Sequence, residues 1–196
     1  MARTPEWGPF TALYDSAGQA PNMVRTVAGD GLSVSFLLDR LTISLNTGEG
    51  AAFAGALGLS GTLSVSVPEG LNLLGFLLVV NGHVDKTDGS QALLTCSIGH
   101  GTQSIQWPLV SMAGAEGPGS AETAGEDPGE ISALSTDFRV ECFTSDFNPA
   151  MVGVPPFPAL PPFPITLGMQ ARRRAADEFV DLGVTDFNLI LVTSSS

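Results

Sequence analysis

Lysine is nearly missing from this chain: one lysine and seven arginines stand against 20 acidic residues, for a net charge of −12 over 196 residues. Such a surface repels nucleic-acid phosphates and anionic lipid headgroups, both of which need basic patches. Neither nucleic acid nor membrane is therefore expected as a partner. Long apolar runs are missing too, and no stretch approaches the roughly 18 consecutive apolar residues of a spanning helix. The opening MARTPEWGPFTALYDSAG has an early arginine but no apolar core, and Pro5 and Pro9 interrupt it. No secretory leader is visible, and no Asn-x-Ser/Thr glycosylation site occurs. The expected location is cytoplasmic, or outside the cell by leader-independent export.

The apparatus of catalysis is equally sparse. His83 and His100 each sit beside a glycine, with no second His or Cys at metal-ligand spacing. The two cysteines, Cys96 and Cys142, make no CxxC pair, so a structural zinc site is unsupported. No GxSxG elbow presents a serine, and neither GxGxxG nor GxxxxGK[ST] offers a phosphate cradle. Asn81, His83, Asp85 and Asp88 in NGHVDKTDG are oxygen and nitrogen donors that could line a calcium loop. The segment lacks the ordered acid series and closing Glu of such a loop, and Asp and Asn belong in turns for their local hydrogen bonds. No catalytic, cofactor-binding or metal residue is assigned, and the chain is expected not to be an enzyme.

What the chain has is β pattern and turns. It is 43% hydrophobic, with 23 glycines and 14 prolines. From Gly31 onward apolar residues alternate with small polar ones, the mark of half-buried strands in antiparallel sheets. Leu32, Val34, Phe36 and Leu38 share one face, followed by Leu41, Ile43 and Leu45. After a Gly/Ala-rich bend over 48–58 come Leu63, Val65 and Val67, then a Pro68-Glu69-Gly70 turn. LNLLGFLLVV, apolar on both faces, predicts a central strand, and Asn81-Gly82 and Asp88-Gly89 read as hairpin turns. Further inward sets are Ala92, Leu94, Cys96 and Ile98; Phe138, Val140 and Cys142; and Phe187, Leu189 and Leu191. A short strand is also expected from Gln103 to Leu109. Cys96 and Cys142 both fall on inward faces, which fits two buried thiols or one inter-strand disulfide; reduced thiols are the preferred reading.

Three segments break the alternation. Residues 1–30 read as an irregular arm whose Trp7, Phe10 and Tyr14 dock onto the domain or a neighbouring subunit. Residues 113–130 carry five acids and no aromatic, and read as a solvated loop. Residues 153–164 are Pro-rich and read as polyproline II, with Phe157, Leu160 and Phe163 along one edge. MQARRRAADEFVDLG predicts one short helix closed by Gly183, with Arg173–Asp177 and Arg174–Glu178 as i,i+4 pairs.

The expected architecture is an all-β sandwich or jelly roll of about eight antiparallel strands over residues 31–196, preceded by the arm. The stretch LSVSVPEGLNLLGFLLVVNGHVDKTDGSQALLTCSIG resembles a family of small secreted bacterial β-sandwich proteins of unknown function. The similarity lies in a strand ending Val67-Pro68-Glu69-Gly70, an apolar strand reaching Gly82 and a further strand after a short turn. It implies the sandwich fold and says nothing of mechanism. Low charge and Ser/Gly/Ala-rich strands favour a non-catalytic structural or self-assembly subunit of a shell, capsid or fibre, acting as a homo-oligomer. The alternative is a carbohydrate- or protein-binding module that uses loops at one end of the sandwich.

Overall fold

A computed structural model describes residues 4–14, 22–68, 70–99, 101–107, 133–144 and 162–194. They form twelve strands: β1 (Glu6–Trp7), β2 (Thr11–Tyr14), β3 (Met23–Val27), β4 (Ser33–Leu45), β5 (Ala54–Leu63), β6 (Val65–Ser66), β7 (Asn72–Thr87), β8 (Gln91–Ile98), β9 (Gly101–Trp107), β10 (Ala133–Thr144), β11 (Phe163–Arg172) and β12 (Val180–Ser194). The chain is all-β, and no helix occurs among the described residues. No helix there is long and apolar enough to cross a membrane.

Four antiparallel pairs carry the architecture: β4 with β12, β5 with β11, β7 with β10, and β8 with β9. Two further pairings, β12 with β7 and β11 with β8, gather them into two sheets. The first sheet runs β10-β7-β12-β4-β3 and the second β2-β5-β11-β8-β9. A long double ribbon whose successive pairs fall in alternate sheets is the jelly-roll form of a β-sandwich.

The alternation expected from sequence sets the core. Val34, Phe36 and Leu38 face inward from β4, as do Ala92, Leu94, Cys96 and Ile98 from β8 and Phe187, Leu189 and Leu191 from β12. Phe36 and Phe187 stack at 4.8 Å between centroids, with Phe10 tilted against Phe36 and edge-on to Phe187. Phe76 and Phe163 meet at 4.5 Å.

Four expectations give way. Residues 1–30 are not irregular throughout, for β1, β2 and β3 lie in them. Trp7 is buried, donates its indole N–H to the Gly31 carbonyl at 2.8 Å, and packs edge-on to Phe76. Docking within the chain is thus what Trp7 and Phe10 do. Second, among the described residues the expected eight strands over 31–196 (β4, β5 and β7–β12) are joined by β6, whose two residues are too few to show a period, while β1, β2 and β3 precede them.

Third, Asn81-Gly82 lies inside β7, paired with Arg139 and Phe138. A Cβ at Gly82 would collide with the Gly183 carbonyl oxygen and the Phe138 ring. The glycine lets three strands crowd together and does not turn the chain.

Fourth, the expected helix is absent: its sequence ends β11, turns, and begins β12, with Gly183 paired to His83 and Thr42 within the sheet. Ile165, Leu167, Met169, Ala171 and Arg173 are buried at alternate positions, so period two continues through a run of good helix formers. Tertiary burial outweighs a helix propensity worth only tenths of a kcal/mol per residue. The Glu178 carboxylate accepts the backbone N–H groups of Arg174 and Ala175, a turn cap in place of the helical ion pair.

The acidic segment 113–130 and Phe157 and Leu160 of the Pro-rich segment lie outside the described residues. Phe163 and Pro164 of that segment open β11.

Candidate binding face

Charge divides the two sheets. The strands of the β10-β7-β12-β4-β3 sheet contain six acids: Asp39, Asp85, Asp137, Glu141, Asp181 and Asp186. Those of the β2-β5-β11-β8-β9 sheet contain none, and their one charged residue is Arg172. In a chain with 20 acids, the described strands of this sheet carry no carboxylate at all.

Register places the outward residues of β5, β11 and β8 in rows. Ala54, Arg172 and Gln91 form the first; Ala56, Gln170 and Leu93 the second; Gly58, Gly168 and Thr95 the third; Ser60, Thr166 and Ser97 the fourth. Arg172, Gln91, Gln170 and Leu93 stand beside the small Ala54 and Ala56 in the first two rows, and Gly58 and Gly168 leave only Thr95 with a side chain in the third. A depression of about 590 Å³ lies over the first two rows, lined by Ala54–Ala56, Gln91–Leu93 and Gln170–Arg172. A second of about 280 Å³ over residues 56–60 and 166–170 adjoins it, sharing Ala56 and Gln170. At about 3.3 Å per residue, the four rows make a track on the order of 20 Å long.

Gly168 is the informative residue. Glycine inside a strand costs stability and marks a bulge or a close approach. Here the strand is regular, and a Cβ would meet nothing nearer than the Thr95 carbonyl oxygen at 4.0 Å. Neither backbone nor packing requires glycine, so what it supplies is room above the sheet.

One end of the track is built by Arg173, the most buried charged side chain among the described residues at 1% exposure. Its guanidinium donates to the carbonyls of Gly48, Ala51, Ala52, Ala175, Ala176 and Glu178 at 2.8–3.4 Å. It thereby fixes the loop before β5 to the turn after β11. Arg172 and Arg174 are exposed, so the triple-arginine run is one structural staple flanked by two surface residues. The half-exposed Phe53 immediately precedes Ala54 and lies under Arg173.

The opposite outer face is acidic and internally paired. Asn81, His83 and Asp85 line one face of β7, and Asp88 falls in the following turn. His83 Nδ1 lies 2.8 Å from Asp137, while Asn81 donates to Asp186 at 2.7 Å. A strand spreads these donors along a line, and no group of three or more His, Cys, Asp or Glu among the described residues could hold a metal. His100 lies outside the described residues. Lys86 is buried at the end of β7, donating to the Thr87 carbonyl at 2.9 Å. Burial pushes its amine below the ordinary value of 10.5, against the raising pull of Asp88 and Glu178.

The fold and face together define a jelly-roll β-sandwich with one grooved sheet whose described strands carry no acid. No family model and no curated protein matches the chain. Among solved structures it is similar to the carbohydrate-binding module TmCBM61 in complex with beta-1,4-galactotriose. The two are 12% identical, with a TM-score of 0.29, over 94% of this chain and 89% of that one.

Sequence reading missed this face. The signal was present as five acid-free segments, but they are scattered along the chain and only the strand order brings them side by side.

Proposed function

We propose that the chain is a non-catalytic binding module that takes a neutral, hydroxyl-rich chain, a polysaccharide or oligosaccharide, along the track on β5, β11 and β8. The observation that carries this is the acid-free face with Gly168 at its centre. A polyhydroxylated ligand needs neutral donors and acceptors, which Gln91, Gln170, Thr95 and Thr166 supply. It also needs apolar contact for its C–H surface, which Ala56 and Leu93 supply. Being uncharged, it meets no penalty from the chain's net charge, whereas a polyanion would. Retardation in native gels cast with neutral polysaccharides (galactan, mannan, xylan, β-glucan), set against polygalacturonate, tests the reading. Slowing by at least one neutral polymer, reduced in Gln170→Ala/Arg172→Ala, supports it; slowing by polygalacturonate alone contradicts it.

Self-association is a second reading, favoured by β3, an edge strand among the described residues. Val24, 61% exposed, pairs with Leu37, 56% exposed, and Val27 is also exposed. An unprotected apolar edge is a template for pairing with a second copy. Light scattering across a concentration range decides it: assembly that Val24→Lys abolishes supports the reading, and a monomer at all concentrations removes it.

A further inference from the structure

The two cysteines face each other across the sandwich. Cys96 on β8 and Cys142 on β10 are both fully buried, and neither is in a disulfide. The Cys142 thiol is hydrogen-bonded to the Cys96 side chain and to the backbone of Ile98. The bond from Cys96 draws the Cys142 thiol below its ordinary value, against burial, which pushes it up. The ends of the same strands lie close together: a Cβ built on Gly99 would sit 3.8 Å from both Thr144 Cγ2 and Oγ1. Cα atoms of β8 and β10 come within 8 Å of each other, although the strands belong to different sheets. Among the described residues β10 is the edge strand of its sheet, its backbone ladder made only with β7.

We infer that Cys96 and Cys142 are a two-electron redox pair that closes as an inter-sheet disulfide and pins edge strand β10 to β8. The oxidant is a low-molecular-weight disulfide of the glutathione class. The Cys142 thiolate attacks one sulfur of that disulfide, forming a mixed disulfide and releasing one small thiol. The Cys96 thiolate then displaces the second small thiol, and the two protein sulfurs are joined. Two protein thiols are oxidised and one small disulfide is reduced to two thiols, with the protons passing to the released thiolates. Edge-strand opening gives the oxidant access. The closed ring spans, in sequence, β9 and residues 108–132.

The test uses the full chain, purified reduced and equilibrated in glutathione buffers of increasing oxidised fraction, then read by non-reducing peptide mapping and thermal melting. The expected product is a monomer lighter by two hydrogens with Cys96 linked to Cys142. Its Tm should rise on the order of 10 °C, a shift reversed by dithiothreitol. Cys142→Ala and Cys96→Ala should each melt identically in reduced and oxidised buffer. Glutathione adducts without the internal link, disulfide-linked dimers, thiols that stay reduced in fully oxidised buffer, or a link that leaves Tm unchanged would each overturn the inference.

Discussion

The Arg173 guanidinium lies 4.4 Å over the Phe53 ring, and the backbone N–H of the same arginine donates to the Phe53 carbonyl at 2.9 Å. One residue thus holds the loop before β5 by its main chain, its charge and its cation–π contact. Replacing it takes the shared donor from six carbonyls in part-buried hydrogen bonds, so Arg173→Met should cost about 3 kcal/mol in urea unfolding. Arg173→Lys should cost nearly as much, because a single ammonium cannot reach the carbonyls a guanidinium fork spans. A loss below about 1 kcal/mol for either variant would show that the loop stands without the staple.

Stability and binding should move in opposite directions at Gly168. With space for a Cβ, Gly168→Ala should hold stability or raise it by up to about 1 kcal/mol, through the unfolded state. Gly168→Trp fills the middle of the track from a half-buried position on the outer face, so it should fold and fail to bind. Melting curves paired with polysaccharide gels on both variants check this. A destabilised Gly168→Ala would return the glycine to a packing role.

Lys86 gives the chain a pH signature. Its amine lies below 10.5 in the folded protein, so the unfolded chain holds the extra proton in the window between the folded value and 10.5. Stability contributed at this site therefore rises with pH through that window, and below it the cost of burying the charge is fully present. Subtracting the urea-unfolding profile of Lys86→Met from that of wild type should give a difference that grows in favour of wild type as pH approaches 10.5. A flat difference would mean that the amine titrates alike in both states.

The inward sets of β4, β8, β10 and β12 were legible because period two is written into them, Val34-Phe36-Leu38 and Leu94-Cys96-Ile98 among the clearest. The run from Met169 to Gly183 was misread because local propensity and alternation disagree there. The inward place of Arg173 depends on carbonyls more than 120 residues away in sequence. Asn81-Gly82 looked like a turn because the reason for glycine is the Phe138 ring on a distant strand. The binding face was illegible for a related cause: Thr95, Thr166 and Ser60 become neighbours only through the pairing of β8, β11 and β5.

Amide chemical shifts recorded during titration with a soluble neutral oligosaccharide, drawn from whichever polymer retards the protein in gels, test the central claim most directly. The account predicts perturbations confined to residues 54–60, 91–97 and 166–172, all lost in Gly168→Trp. Shifts centred on β3 and β4, on the acidic outer face of β7 and β10, or surviving in Gly168→Trp would contradict it.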